Sequence, residues 1–143
     1  MAIWKQEFNL EGLEQISANT MVSTLGIQFL EAGDDYIKAS MPVNQYTVQP
    51  FRLLHGGASV ALAETIGSMA SFMCLEDPSK QSAVGLEINA NHLRAVFEGS
   101  TVIGTCRPVR LGRTIHVWNI EIHDQDERLV CVSRLTMAVT QNK

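Results

Sequence analysis

The side chain most out of keeping with its surroundings is Glu64. From Gly57 to Met73 the chain reads GASVALAETIGSMASFM, and Glu64 is the one charged residue in it. A carboxylate taken out of water costs several kcal/mol unless it is paired or protonated, and its basicity rises as water is withdrawn. Ser68 follows at i+4, so on a helix its hydroxyl shares a face with the carboxylate. Just upstream lies Gln49-Pro50-Phe51-Arg52-Leu53-Leu54-His55-Gly56-Gly57-Ala58. Paired glycines before a helix allow close approach of the backbone and leave the first N–H groups unpaired. Those donors, at the positive end of the helix dipole, suit an oxygen that is gaining charge. The Gln49 amide and the His55 imidazole either position the same oxygen or hold the loop. A lone glutamate in a helix is usually solvated or paired with arginine, and a histidine before glycines is usually structural. Together, amide, His-Gly-Gly, apolar helix, internal Glu64 and Ser68 are a more specific combination and point to acid–base work beside an oxygen that gains charge.

These residues need a helix and a frame to hold them. The spacing predicts a helix from Gly57 to about Leu75, ended by Asp77-Pro78-Ser79 and apolar on nearly every face, hence buried all round. Asn9 is placed to cap a shorter helix through about Asn19, with Phe8 stapled against it. Gly33-Asp34-Asp35 reads as a turn, and Tyr36 to Met41 alternates like a half-buried strand. Pro42 and Gln45 to Leu54 read as loop. Strands are expected at Ala83–Asn91, Thr101–Val109, Ile115–His123 and Leu129–Thr140. Turns at Glu98-Gly99, Leu111-Gly112-Arg113 and Asp124-Gln125-Asp126 separate them. Ile115 and Val117 face one side and Trp118, Ile120 and Ile122 the other, as in a sheet covered by the helix and by another subunit. The plan is α+β with an antiparallel sheet. No linker or repeat divides the chain, so residues 1–143 form one domain.

Composition narrows the function classes. With 45% apolar and 18% charged residues, the 143-residue chain is not intrinsically disordered. A net charge of −4 argues against general nucleic-acid binding. Against that average, Arg94, Arg107, Arg110 and Arg113 crowd one stretch with Glu98 the only acid among them. Arginine's planar fork suits phosphate, although a charged, protected strand edge gives the same pattern. Cys74, Cys106 and Cys131 are odd in number and form no CxxC pair, as expected of buried free thiols in a reducing cytoplasm. The N-terminus lacks a signal-peptide pattern, and Gly56 to Leu75 is too interrupted for a membrane span. His116 and His123 are expected at the surface. His55, His92 and Glu64 lack the spacing of a metal site, so no metal is expected.

The segments Gln49-Pro50-Phe51, Leu54-His55-Gly56-Gly57-Ala58-Ser59 and Ala63-Glu64-Thr65-Ile66-Gly67-Ser68 resemble the signature of hotdog-fold acyl-CoA thioesterases. The similarity is to the branch of bacterial 1,4-dihydroxy-2-naphthoyl-CoA and enterobactin-proofreading thioesterases (PaaI-like). It extends over nearly the whole chain, through Met21-Val22, Met41-Pro42-Val43, Gly85 to His92 and Ser133-Arg134-Leu135-Thr136. The resemblance implies a long central helix wrapped by a curved antiparallel sheet, in a homodimer and usually a tetramer as a dimer of dimers, with sites between subunits. It implies Glu64 as nucleophile or general base, Gln49 and the Gly56 N–H polarising the thioester carbonyl, and His55 and Ser68 supporting substrate and water. His92 would lie near the sulfur. Gly85, Leu93, Arg94 and Ala95 would line the CoA path, and the turn Arg110, Leu111, Gly112, Arg113, Thr114 and Ile115 would meet its nucleotide end. The expected substrate is an aromatic or medium-chain acyl-CoA, or the same acyl group on a carrier protein, with no further cofactor and no nucleic-acid or membrane partner. Arg52 departs from the family pattern, which has glycine there; a cation near the acyl entrance either favours an acidic or polar acyl group or faces solvent. A hotdog hydratase would place its histidine and carboxylate differently, and a non-catalytic acyl-CoA sensor would not need Glu64.

Overall fold

The computed structural model describes residues 1–143. Along the chain come α1 (Leu10–Ser17), α2 (Met21–Thr24), β1 (Gln28–Ala32), β2 (Ile37–Pro42), α3 (Gly56–Met73), β3 (Gln81–His92), β4 (Thr101–Leu111), β5 (Ile115–His123) and β6 (Leu129–Gln141). The strands form one sheet in the order β1-β2-β4-β5-β6-β3, with every neighbouring pair antiparallel. The long helix packs on it, touching β2 through β6. This is the α+β hotdog arrangement that the sequence implied. The helix, the hairpin turn at Gly33 and the four later strands stand where expected, to within two residues at most of their ends. Two short elements were not legible. In β1 only Phe29 is buried, so no alternation marks it, and α2 is a single turn capped by Thr20.

Helix α3 sits close to the sheet because glycine stands at two contact points. A Cβ on Gly67 would lie 2.4 Å from Leu135, and one on Gly104 would lie 2.7 Å from Ile66. This contact closes a core of Leu62, Ala63, Ile66 and Ala70 against Ile37, Met41, Trp118, Ile120 and Leu135, all fully buried. Each of the larger aliphatic side chains contributes about 1.5–3 kcal/mol by leaving water. The expectation that α3 is buried all round is corrected. Ala61, Glu64, Thr65, Ser68 and Met69 are only half-buried and Phe72 is exposed. These residues follow the i, i+3, i+4 rule and form one open stripe opposite the sheet. Sheet contact uses up a single face, and an apolar reading of the whole helix could not say which face that would be.

The helix ends are satisfied from elsewhere. His55 is the N-cap, its Nδ1 accepting from the Gly57 N–H at 2.8 Å. At the other end, Lys5 N–H donates to the Met73 carbonyl at 2.8 Å and Gln6 Nε2 to that of Leu75 at 2.6 Å. The N-terminal segment is pinned in turn by Trp4, whose Nε1–H donates to Gly33 O at 2.8 Å. Asn9 caps α1 as expected, and Phe8 meets the Trp4 ring edge-on at 5.7 Å. No helix is long and apolar enough to cross a membrane.

The three cysteines are buried and free. Burial pushes the Cys74 thiol up to about 11 and raises Cys106 and Cys131 as well, which makes them poor nucleophiles. His123 lies near the surface beside Glu121, but the expected surface position of His116 is wrong: it is 5% exposed. It belongs to the inward face of β5 with Trp118, and both meet Ser71 of α3. Trp118 Nε1–H donates to Ser71 Oγ at 2.7 Å, so the serine proton is free for His116 Nδ1 at 3.1 Å.

Burial holds the His116 imidazole below its ordinary 6.5. The unfolded chain therefore takes up this proton at a higher pH than the folded one. The resulting stability is complete above about pH 6.5 and declines as pH falls below it, until the folded ring is protonated too. The expected outcome is that Tm falls more steeply from about pH 7.5 to pH 5.5 in the native protein than in His116→Gln. Parallel slopes in thermal melts would exclude His116 as the source.

Candidate active site

The segment before α3 is a tight hairpin turn. Val48 bridges Leu54, Gln49 N–H donates to Leu53 O at 2.8 Å, and Arg52 N–H donates to Gln49 O at 2.9 Å. Pro50 pre-sets the backbone at the first central position, and Arg52 follows in the left-handed region with φ 65°. The Gln49 side chain is held from within this turn. Its Oε1 accepts the Phe51 N–H, which leaves the amide N–H₂ as free donors. His55 N–H donates to Thr47 O at 2.8 Å, anchoring the start of the helix. Because His55 Nδ1 accepts from Gly57, the ring proton resides on Nε2. The Gly56 N–H has no acceptor within the chain.

The Gln49 amide and the Gly56 N–H, but not His55, share a cleft of about 460 Å³ lined by Gln49, Gly56, Ser59, His92, Leu93, Arg94 and Ala95, among others. The His92 ring rests on Gly56, where a Cβ would come within 2.9 Å of its Nε2. Six residues expected at the site from sequence thus meet here. Ser59, buried one turn into α3, is an addition that the helix pattern alone did not single out.

Glu64 and Ser68 lie elsewhere. They face an apolar pocket of about 550 Å³, walled by Ile16, Met21, Val22, Met69 and Phe72. The carboxylate lies over the backbone of Gly85, with Oε1 2.7 Å from where a Cβ would stand. Beside it the β3–β6 register slips between Gly85 and Glu87, a bulge of the kind that re-aims groups next to functional sites. Ser68 Oγ lies 3.8 Å from Met137 Sδ. Sequence reasoning did not assign Ile16 or Phe72 to the pocket. The available signal was their exposure, at 62% and 45%, which only the fold reveals.

Glu64 follows Gly56 by eight residues, which at ~1.5 Å rise each is roughly 12 Å along the helix axis. One chain therefore cannot bring its own carboxylate and its own Gly56 N–H to a single carbonyl. The expected nucleotide-contacting turn is at a third place. Leu111, Gly112 and Arg113 line a cavity of about 610 Å³ with Lys5, Glu76 and His116, at the C-terminal end of α3. Arg110 folds back on Gly112, whose N–H donates to Ile115 O at 2.8 Å, while Thr114 O takes the Val139 N–H. The crowded arginines of the sequence are thus dispersed. Arg107 pairs with Asp35 at 3.1 Å and stands 4.7 Å over the Tyr36 ring, and Arg94 belongs to the Gln49 cleft. Arg52 has a definite partner, Glu98, which it meets with both Nε and Nη2.

Comparisons with known proteins identify the family and the fold. The Thioesterase superfamily profile matches residues 51–131. The chain is 53% identical over 137 residues to the 1,4-dihydroxy-2-naphthoyl-CoA hydrolase of Escherichia coli, covering 96% of this chain and 98% of that protein. It is 50% identical over 137 residues to the proofreading thioesterase EntH of Cronobacter turicensis, with 96% and 98% covered. The crystal structure of a thioesterase from Haemophilus influenzae superposes with a TM-score of 0.92 at 52% identity, covering 97% of this chain and 95% of the other.

The contact at Gly85 yields a test. Alanine is allowed by the backbone there, and the atom in its way is the flexible end of Glu64. Gly85→Ala is expected to fold with Tm nearly unchanged while thioester turnover falls on the order of 10²-fold, the usual cost of misplacing a reacting group by about 1 Å. Native turnover in a folded Gly85→Ala chain would show that the carboxylate does not work from this position.

Proposed function

The chain belongs to the thioesterase superfamily, and from that premise we propose that it hydrolyses acyl-CoA thioesters carrying an aromatic or medium-length acyl group, in a site shared by two copies. The observation that carries this reading is the division of the chemistry. The carboxylate lines an apolar pocket, and the carbonyl donors line a separate cleft roughly 12 Å along the same helix. Both lie beside β3, an edge strand of 12 residues with Val84 and Leu86 exposed. An unpaired edge of that length invites a partner. If two β3 strands pair antiparallel about an axis near Ile88 and Asn89, Gly85 of one copy comes opposite His92 of the other. The Glu64 pocket of one chain then faces the Gly56 cleft of its partner, and the open stripe of α3 is covered.

Within such a site the acyl group lies among Ile16, Met21, Val22, Met69 and Phe72. The thioester oxygen takes hydrogen bonds from the Gln49 amide and the Gly56 N–H of the opposing copy, donors already oriented before any charge develops. Two routes open from the same carboxylate. In one, Glu64 attacks the carbonyl carbon and the C–S bond breaks, giving a mixed anhydride and CoA thiolate; water then hydrolyses the anhydride. In the other, Glu64 takes a proton from a water that attacks the carbonyl directly, and the thiolate leaves with a proton. Either way one water is consumed, and one carboxylic acid and one thiol are released. The Ser68 hydroxyl, on the same face, supports the water. The arginine turn is read as the contact for the CoA nucleotide. The similarity to a proofreading thioesterase also supports a carrier protein as the handle, with identical chemistry at the acyl end.

Glu64→Gln is expected to lose about 10²–10⁴-fold in turnover, measured by free-thiol release, while folding and assembly survive. Co-expression with Gln49→Ala tests the shared site. Random pairing should restore about a quarter of native turnover, since half the dimers are mixed and each has one intact site of two. Activity no higher than that of the separate variants would place both groups in one chain. Arg110→Ala/Arg113→Ala is expected to raise KM about tenfold for an acyl-CoA and to leave a short thioester lacking the nucleotide unaffected, since a charge-assisted bond is worth about 1.5–3 kcal/mol. An equal rise for both substrates would remove the nucleotide from this turn.

A further inference from the structure

Arg52 occupies a position that a large side chain should avoid. It is the third residue of the turn that carries Gln49, with φ 65°, where glycine is the usual choice because it has no Cβ. Its guanidinium instead forms a two-pronged pair with Glu98, Nε to Oε2 at 2.8 Å and Nη2 to Oε1 at 2.5 Å. Backbone bonds run alongside: Glu98 N–H donates to Arg52 O at 3.1 Å, Leu54 N–H to Val96 O at 2.8 Å, and Leu53 bridges Phe97. The far side of this pair is firmly held. Val96 is 5% exposed, and Gly99 N–H donates to Val43 O at 2.8 Å next to the end of β2. Both partners are partly open to water, so the pair adds little to stability. A strained backbone retained without a stability gain, beside a candidate site, calls for a functional reason.

The connection to chemistry is short. Arg52 N–H donates to the Gln49 carbonyl at 2.9 Å, and the neighbouring Phe51 N–H holds Gln49 Oε1. Both bonds lie on the N-terminal side of the Arg52 φ and ψ axes, so a backbone rotation there swings the turn and the Gln49 amide as one unit relative to Leu53 and residues 96–99. We infer that the Arg52–Glu98 fork is a positioning clamp for Gln49, pinning the turn against residues 96–99 so that the amide N–H₂ stays directed at the acyl carbonyl. This rests on the reading of Gln49 as a carbonyl donor. It also changes the role expected of Arg52, because a guanidinium already engaged by a carboxylate is not free to select an acidic acyl group. The hydrogen bond from Arg52 lowers the Glu98 carboxyl from its ordinary value, so both partners of the clamp are charged throughout the neutral range.

The test uses the full-length protein with a hydroxybenzoyl-CoA and reads kcat, KM and Tm for Glu98→Gln and Arg52→Gly, each alone and in a Gln49→Ala background. Arg52→Gly removes the fork and the strain together. The expected result is a fall in kcat of about three- to tenfold in both single variants, with KM little changed and the Tm of Arg52→Gly equal to or above that of the native protein. In the Gln49→Ala background neither change should cost anything further, since the group being positioned is gone. Native kcat in both single variants, or an undiminished loss in the Gln49→Ala background, overturns the clamp. Native kcat in Gln49→Ala itself overturns the reading of Gln49 beneath it, a separate and distinguishable failure.

Discussion

The rotation of α3 about its own axis is the constraint on which the rest depends. Gly67 against Leu135 and Gly104 against Ile66 let helix and sheet approach closely, and at that distance only one helix face can meet the strands. Leu62, Ala63, Ile66 and Ala70 are committed to the core by this contact. The stripe of Ala61, Glu64, Thr65, Ser68, Met69 and Phe72 is turned away from the sheet by the same geometry. A rotation of one residue's worth, about 100°, would exchange the side chains that face the strands and carry the carboxylate off its present stripe. Core packing thus sets the address of the one charged group on the helix.

The two ends of α3 are treated differently. At the C-terminal end the carbonyls are taken up by Lys5 and Gln6 of the N-terminal segment, and Ser71 ties the helix to His116 and Trp118. These contacts satisfy buried polar groups and serve stability. At the N-terminal end His55 satisfies Gly57, but the Gly56 N–H remains unpaired. An unpaired donor is costly in a dry core and useful in a cleft that receives a carbonyl oxygen. One helix therefore carries a closed structural end, an open donor end and a carboxylate between them.

The length of the helix then limits what a single chain can do. Roughly 12 Å separates Glu64 from Gly56 along the axis, too far for these two groups of one chain to meet a single small group. The exposed edge of β3 supports a two-fold partner as the solution. Under that reading the apolar stripe of α3, unusual as a solvent-exposed surface, is the wall of a shared pocket.

Much of this was legible in residue types and spacing. The composition of Gly57 to Met73 marked a packed helix with an anomalous glutamate, the paired glycines marked its start, and alternation with turn residues marked the later strands. Local physics writes these signals: side-chain period, backbone freedom, capping. Other features had no local signature. His116 sits in a strand that is apolar on both faces, so only the placement of Ser71 shows that its ring points inward. Ile16 and Phe72 become pocket residues because of which surfaces the fold leaves uncovered. Arg52 and Glu98 are 46 residues apart, and the cluster of arginines in sequence disperses to separate surfaces. The sequence by itself determined which groups can do chemistry, because reactivity belongs to residue type and immediate neighbours. Only the tertiary structure decided which of them meet, because distance between remote residues is set by how the helix lies on the sheet.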